Sequence, residues 1–396
     1  MSGVGTGSRH AHTTSFIREA IVDELVEFGH ASLTMESIAR RSYSSIGSVY
    51  ARYPNRTAAM SDVLDFTILP GLSTSGTDST WEVAVGRMLS DGQARRLLYA
   101  LVELALCSRH EPDLTKAGPG LVSVVRDSVT RLSADPHPDE GLRWLVSCVI
   151  VGHLVLSSVG CTVPPIETSL FALVKRAAVA RPGNHVPHPT DDVMVSQPHS
   201  PQPCGTDEMS EELAVAATVE LAEHGASRAN IRRIARRIGV TTGAVYRRFG
   251  SKNELVREAL VRELGPHRYA WNDRLAESVT TGRTQAGPGD VLADQMFALI
   301  SDRTRLLSTL EMIHAARTDR TVRETLVTQF HEAASVRAQF FAALGSASAG
   351  IDPDAMGWVI QLAPTGARVL VAVGDHPDEA PVREALRRVM LAASGS

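Results

Sequence analysis

Cysteine is scarce in this chain: there are four in 396 residues, Cys107, Cys148, Cys161 and Cys204, and no two lie close together in sequence. That excludes paired-cysteine zinc and redox motifs. A chain this long needs no disulfide framework, so a reducing cytoplasm fits best. Excess charge of either sign is also missing. Forty lysines and arginines face 44 acidic residues, a formal net charge of -4, so any affinity for a polyanion must come from a local patch. The start, MSGVGTGSRHAHTTS, lacks a basic end followed by an apolar run; it carries no secretory signal and reads as a disordered arm over 1–15. No nucleophile elbow, phosphate loop or His-Glu metal spacing occurs, and the neighbouring pairs Glu103/His110 and Glu311/His314 read as solvated ion pairs. An enzyme, a metal site and a bound cofactor are therefore not expected. One stretch, 144–163, has no formal charge over a bilayer-spanning length, but His153, three serines and two glycines make it a better buried helix than a membrane span.

What is there is an ordinary globular composition, 43% hydrophobic and 21% charged, written twice. A shift of 196 positions aligns ELVEFGHASLTMESIARRSYSSIGSVYARY (24–53) with ELAEHGASRANIRRIARRIGVTTGAVYRRF (220–249) without a gap, with twelve identities in thirty. Later parts correspond more weakly. Residues 97–117 resemble 306–326, and WLVSCVIVGHLVLSSVG (144–160) matches WVIQLAPTGARVLVAVG (358–374) at the Trp, the central Gly and the last Gly. The second of these holds Gln361, Pro364 and Arg368, which argues against a shared transmembrane role. Between the halves lies a proline-rich stretch with no helical period, a linker over 181–208 whose His185, His188 and His199 find no ordered scaffold for a metal.

Within each copy the period is helical. Leu213, Ala217, Leu221 and Ala222 share one face and Gly225 stops it; Ile231, Ile234, Ala235 and Ile238 form a short second helix ending at Gly239. Thr241 caps a third helix over 242–249, and a fourth opens at Lys252. Two short helices around a glycine turn make a helix-turn-helix, whose second helix can enter the major groove of DNA. The stretch RRIARRIGVTTGAVYRRFGSK (232–252) adds seven cations and no anion.

IARRIGVTTGAVYRRFGSKNEL resembles the DNA-binding segment of the TetR (tetracycline-repressor-like) family of bacterial regulators. The resemblance implies an all-α chain of two tandem units. Each unit is an N-terminal three-helix DNA-binding domain (16–66 and 209–264) followed by a helical ligand-binding and dimerisation domain (67–180 and 265–396). The two would pack as an intramolecular pseudo-dimer, with the helices near 144–180 against those near 358–393. The partners implied are a double-stranded DNA operator and a small-molecule effector, with no membrane, and further oligomerisation of the fused chain stays open. Val245 and Phe249 are expected in the core, leaving Thr242, Gly243, Ala244, Tyr246, Arg247 and Arg248 outward. Thr241, Tyr246 and Lys252 occupy family positions that touch phosphate.

In the first copy the corresponding DNA-binding candidates are Ser45, Ile46, Gly47, Ser48, Tyr50, Arg52 and Arg56. Here the pattern departs. Ser42, Tyr43 and Ser44 stand where the second copy has Ile238, Gly239 and Val240, so the turn lacks its glycine, and Ala51 replaces Arg247. A bulky residue at positive φ is strained. Weaker or altered DNA contact by the first copy is expected, and with it an asymmetric operator. The resemblance implies repression relieved by a ligand of unknown identity, for which His153, His314 and Gln361 are candidate polar contacts. The remaining alternative is a ligand-sensing or protein-interaction module that has lost specific DNA binding.

Overall fold

A computed structural model describes residues 5–73, 80–130, 139–180, 207–280 and 287–394; the linker from 181 to 206 lies outside them. Among the described residues every regular element is helical, so the chain is all-α. It splits into two compact units, Met1–Arg131 with Val373–Asp375, and Leu132–Ala372 with His376–Ser396.

The first unit runs α1 (Gly5–Phe28), α2 (Met35–Arg41), α3 (Ile46–Tyr50), α4 (Arg56–Val63), a π-helical stretch Leu64–Ile68, α5 (Leu69–Leu72), α6 (Trp81–Ser90), α7 (Gly92–Cys107) and α8 (Ala117–Val129). Short polar caps start these helices: Thr34, Ser45, Asn55, Thr80 and Asp91 each accept a first-turn backbone N–H. α1 packs on α2, α4 and α7. The disordered arm expected over 1–15 is corrected from residue 5 onward, where the chain is already α1. Between Gly7 and Gly29 no glycine or proline interrupts it, so nothing local stops the helix from extending back. Residues 1–4 lie outside the described residues.

The second unit contains α9 (Glu140–Ser158), α10 (Glu167–Val179), α11 (Glu208–His224), α12 (Ile231–Arg237), α13 (Thr242–Phe249), α14 (Lys252–Thr280), α15 (Pro288–Ser301), α16 (Arg303–Ala315), α17 (Arg320–Ala343), α18 (Pro353–Ala372) and α19 (Glu379–Ala393). The divide between the units therefore falls at 131/132, ahead of the proline-rich linker. The reason is burial. α9 is apolar nearly all round and packs on α18, while α10 packs on α19, so the last two helices before the linker share a core with the last two of the chain. α9 and α18 are long and apolar enough to cross a bilayer, yet 83% and 89% of those stretches are buried inside this unit.

The α9–α18 crossing is reciprocal. A Cβ on Gly152 would collide with the carbonyl oxygen of Leu362, and a Cβ on Gly366 with that of Cys148. Gly366 and Leu362 lie 214 positions beyond Gly152 and Cys148, so each glycine meets the counterpart of the residue that the other meets, the signature of an isologous contact. The same shift relates Trp144 to Trp358, both buried, and Gly160 to Gly374, both at positive φ behind their helices. At the outer helices, Arg176 donates to the carbonyl of Ala392 (3.1 Å) and Arg388 to that of Ala177 (3.4 Å).

Because the helices approach backbone to backbone, one added methyl must push them apart. Gly152→Ala and Gly366→Ala should each lower unfolding free energy by about 3 kcal/mol or more, measured by urea denaturation, whereas alanine at Gly92, where a Cβ meets open space, should not destabilise.

Candidate nucleic-acid interface

In the second unit the helix-turn-helix follows the sequence closely. α11 ends at Gly225 (φ 80°), α12 ends before a turn at Gly239 (φ 74°), and α13 spans Thr242–Phe249 with Thr241 Oγ1 accepting the Ala244 N–H at 3.2 Å. Val245 and Phe249 are buried beside Ile234 and Ala235 among the core side chains. Thr242, Gly243, Tyr246 and Arg247 are exposed, and Ala244 is half-buried. A helix held by two apolar residues four apart thus offers small residues at its start and a phenol and guanidinium farther along.

The structure sorts the seven cations of 232–252 into three groups. Arg233 donates to Glu220 (2.6 Å), Arg237 to Glu223 (2.6 Å) and Arg248 to Asp207 (2.8 Å) and Ser210 (3.2 Å). Lys252 spends its Nζ on the backbone carbonyl of Ala226 at 3.0 Å. Arg232, Arg236 and Arg247 are exposed, and their side chains make no hydrogen bond or ion pair with another described residue. Arg232 and Arg236, four apart on α12, share a face. Arg248 and Lys252, expected from the sequence to face DNA, also make contacts inside their own domain. Both are fastened to their own domain, Arg248 to the start of α11 and Lys252 to the loop after it; Arg248 beside Asp207 holds that carboxyl below its ordinary range.

The first unit repeats this scaffold with different surface chemistry. Arg52 donates to Thr14 (3.2 Å) as Arg248 does to Ser210, and Arg41 to Glu24 (2.7 Å) and to Glu27. Arg56, like Lys252, reaches the carbonyl after the first glycine stop, His30 O, at 3.4 Å, and also pairs with Glu111 at 3.0 Å. Ser45 caps α3 through the Ser48 N–H (3.1 Å). Ile46, Gly47 and Tyr50 are exposed, and Val49 and Tyr53 are buried. Arg52 and Arg56 are therefore also structural ties. Two differences empty the outward charge: Glu36 stands at the position of Arg232, a charge reversal that the sequence reading passed over, and Ala51 stands at that of Arg247. Arg40 alone of the three positions keeps an exposed guanidinium without a described partner.

The turn is nevertheless kept. Tyr43, at the position of Gly239, has φ 52° and is 98% exposed, so the left-handed conformation is imposed on a side chain that gains no burial in return. A second contact recurs in each unit. Glu103 Oε2 of α7 accepts the His30 N–H at 3.2 Å, and Glu311 Oε2 of α16 accepts the Ala226 N–H at 2.9 Å. Each carboxylate ties a later helix of its unit to the loop behind that unit's first helix-turn-helix element, α1 or α11. Thr57 with Glu111 (3.2 Å) and Asn253 with Asp319 (2.6 Å) form another matched pair. These contacts set the correspondence of α7 with α16 at 208 positions, one fewer than the ungapped pairing of 97–117 with 306–326, because identities among leucines do not fix helical register and a shared carboxylate does. Of the polar groups considered for a ligand, Gln361 lines a cavity of the second unit, while His153 and His314 do not.

Residues 213–259 match the family model described as bacterial regulatory proteins, tetR family. The matched stretch takes in most of α11, all of α12 and α13 and the start of α14. It supports a DNA-binding segment like that of the tetR family of transcriptional regulators in the second unit. No curated protein matches the chain.

Strain at the first turn has a measurable consequence. Tyr43→Gly should raise unfolding free energy by about 1 kcal/mol, and Gly239→Ala should lower it by a similar amount, both read by urea denaturation. Equal stability of Tyr43→Gly and the parent chain would mean that the turn costs nothing.

Proposed function

We propose that the chain is a cytoplasmic repressor carrying two unequal DNA-binding units, arranged as an intramolecular pseudo-dimer and released from its operator by a small-molecule effector. The observation that carries the DNA-binding part is the exposure of Arg232, Arg236, Arg247 and Tyr246 inside the matched segment: cations withheld from internal pairing are available to phosphates. Thr241, Thr242, Gly243 and Ala244 admit the backbone close to base edges, and the fastened Arg248 and Lys252 hold α13 and the loop after α11 in place. On this reading Ser45, Ile46, Gly47, Ser48 and Tyr50 make the corresponding but weaker approach of the first unit.

The pseudo-dimer is supported by the reciprocal glycine crossing of α9 and α18 and by the matched ties Arg52/Arg248, Arg56/Lys252, Glu103/Glu311 and Thr57/Asn253. Two-fold helix-turn-helix dimers read half-sites about 34 Å apart or a multiple of it. With three outward arginines in one unit and one beside a glutamate in the other, the two half-sites are not read alike. The second unit supplies most of the affinity and the first mainly adds position. Effector binding favours the DNA-free arrangement by its differential affinity.

Fluorescence anisotropy on a labelled duplex of mixed sequence tests the interface directly. Replacing Arg232, Arg236 and Arg247 together by alanine should lower affinity and reduce the slope of log K against log salt by about 3, while Arg40→Ala should reduce it by about 1 or less. Unchanged affinity and slope in the triple variant would remove DNA as the partner of this face and leave a sensor or interaction module.

A further inference from the structure

The second unit has a partly open cavity between α14, α15, α16, α17 and α18. Its lining is unusually cationic. Arg305, Arg337 and Arg368 face it against a single carboxylate, Glu263. Arg305 is committed to Glu263 as an ion pair. Arg337, 5% exposed, donates to the neutral side-chain oxygen of Gln361. Arg368, also 5% exposed, makes no hydrogen bond or ion pair with a described residue, and its Nε is buried without an acceptor. A guanidinium in that position carries a desolvation cost that Glu263, itself paired with Arg305, offsets only in part. Phe330 and Leu299 give the same cavity an apolar wall.

We propose that this cavity binds one small organic anion per chain, a carboxylate with an apolar body, whose charged end sits between Arg337 and Arg368. This rests on the reading of the chain as an effector-released regulator and names the chemical class of that effector. An acceptor with two oxygens matches the planar fork of a guanidinium, and the phenyl ring of Phe330 suits the body of the same molecule. Burial first and the charge of Arg305 second push Arg368 down to about 10, against the opposing charge of Glu263, so it remains a cation at neutral pH and would gain a directly bonded counter-ion from an entering anion.

The site belongs to one half alone. At the matched shifts, Arg305 corresponds to Leu97, Gln361 to Ser147 and Arg368 to Leu154, all three buried and none cationic. Where two identical subunits would carry two pockets, this chain carries a single anion site, and its saturation is non-cooperative.

Calorimetric titration of the full chain without DNA, using benzoate, phenylacetate and octanoate, each beside its primary amide, tests the proposal. At least one acid should bind at one per chain and its amide at least about tenfold more weakly, since the amide cannot supply the charge-assisted bonds. Arg368→Met should weaken that acid by at least about tenfold while raising the melting temperature of the unliganded chain, because the uncompensated charge is gone. Arg368→Lys, which keeps the charge, should retain part of the binding. Absence of binding by all three acids, equal binding of acid and amide, two sites per chain, or full binding by Arg368→Met would each overturn the anion site. Because the titration contains no DNA, such a failure leaves the DNA-binding reading standing. Conversely, one acid bound at one per chain with unchanged duplex affinity would uphold the site and remove the effector-release mechanism.

Discussion

The close passage of α9 over α18 is the contact on which the rest depends. Two glycines, Gly152 and Gly366, remove the side chains that would hold the helices at ordinary separation, and the backbones meet where each half contributes the same residue to the other. That geometry explains the division of the chain. Helices that precede the linker are buried with helices near the chain's end, so the core of the second unit is built from both halves of the sequence. It also explains why two helices of membrane-like composition need no membrane: each is the apolar surface that covers the other.

Around that shared core the two halves have diverged by surface chemistry more than by scaffold. The ties that hold each helix-turn-helix are paired residue for residue, from Arg52 and Arg248 at the recognition helix to Glu103 and Glu311 beneath it. What differs is what faces outward. Glu36 and Ala51 in one half oppose Arg232 and Arg247 in the other, and Tyr43 keeps a glycine's conformation at the cost of strain. The later helices diverge in the same direction, with leucines at the positions where the second half has the half-buried Arg305 and the buried Arg368. The outward arginines and the buried cationic cavity both belong to the second half.

The helices and the turn were legible in the sequence because they are local. Thr241 as a cap, Gly225 as a stop and the Val245/Phe249 spacing define α13 within the residues expected, and the missing glycine at Tyr43 announced the strained turn. The fate of the arginines was not legible. Whether a cation points to solvent or to an internal carboxylate depends on partners 13 to 41 positions away, as for Arg233 with Glu220 and Arg248 with Asp207, and no periodicity encodes that distance. The same holds for the cavity of the second unit: Arg305, Arg337 and Arg368 converge from three helices whose spacing in sequence carries no motif. The extension of α1 to Gly5 is not legible in its composition, which is polar and includes Gly5 and Gly7, although from Ser8 to Phe28 no glycine or proline interrupts the helix.

The central claim is that one chain does the work of a dimer with two unequal arms. Selection from a pool of random duplexes, followed by the molar mass of the purified complex on the enriched sequence, addresses it most directly. The account predicts a two-part asymmetric site occupied by one chain per duplex, with stronger protection of the half-site bound by the second unit. A symmetric site occupied by two chains, protected equally on both arms, would contradict it.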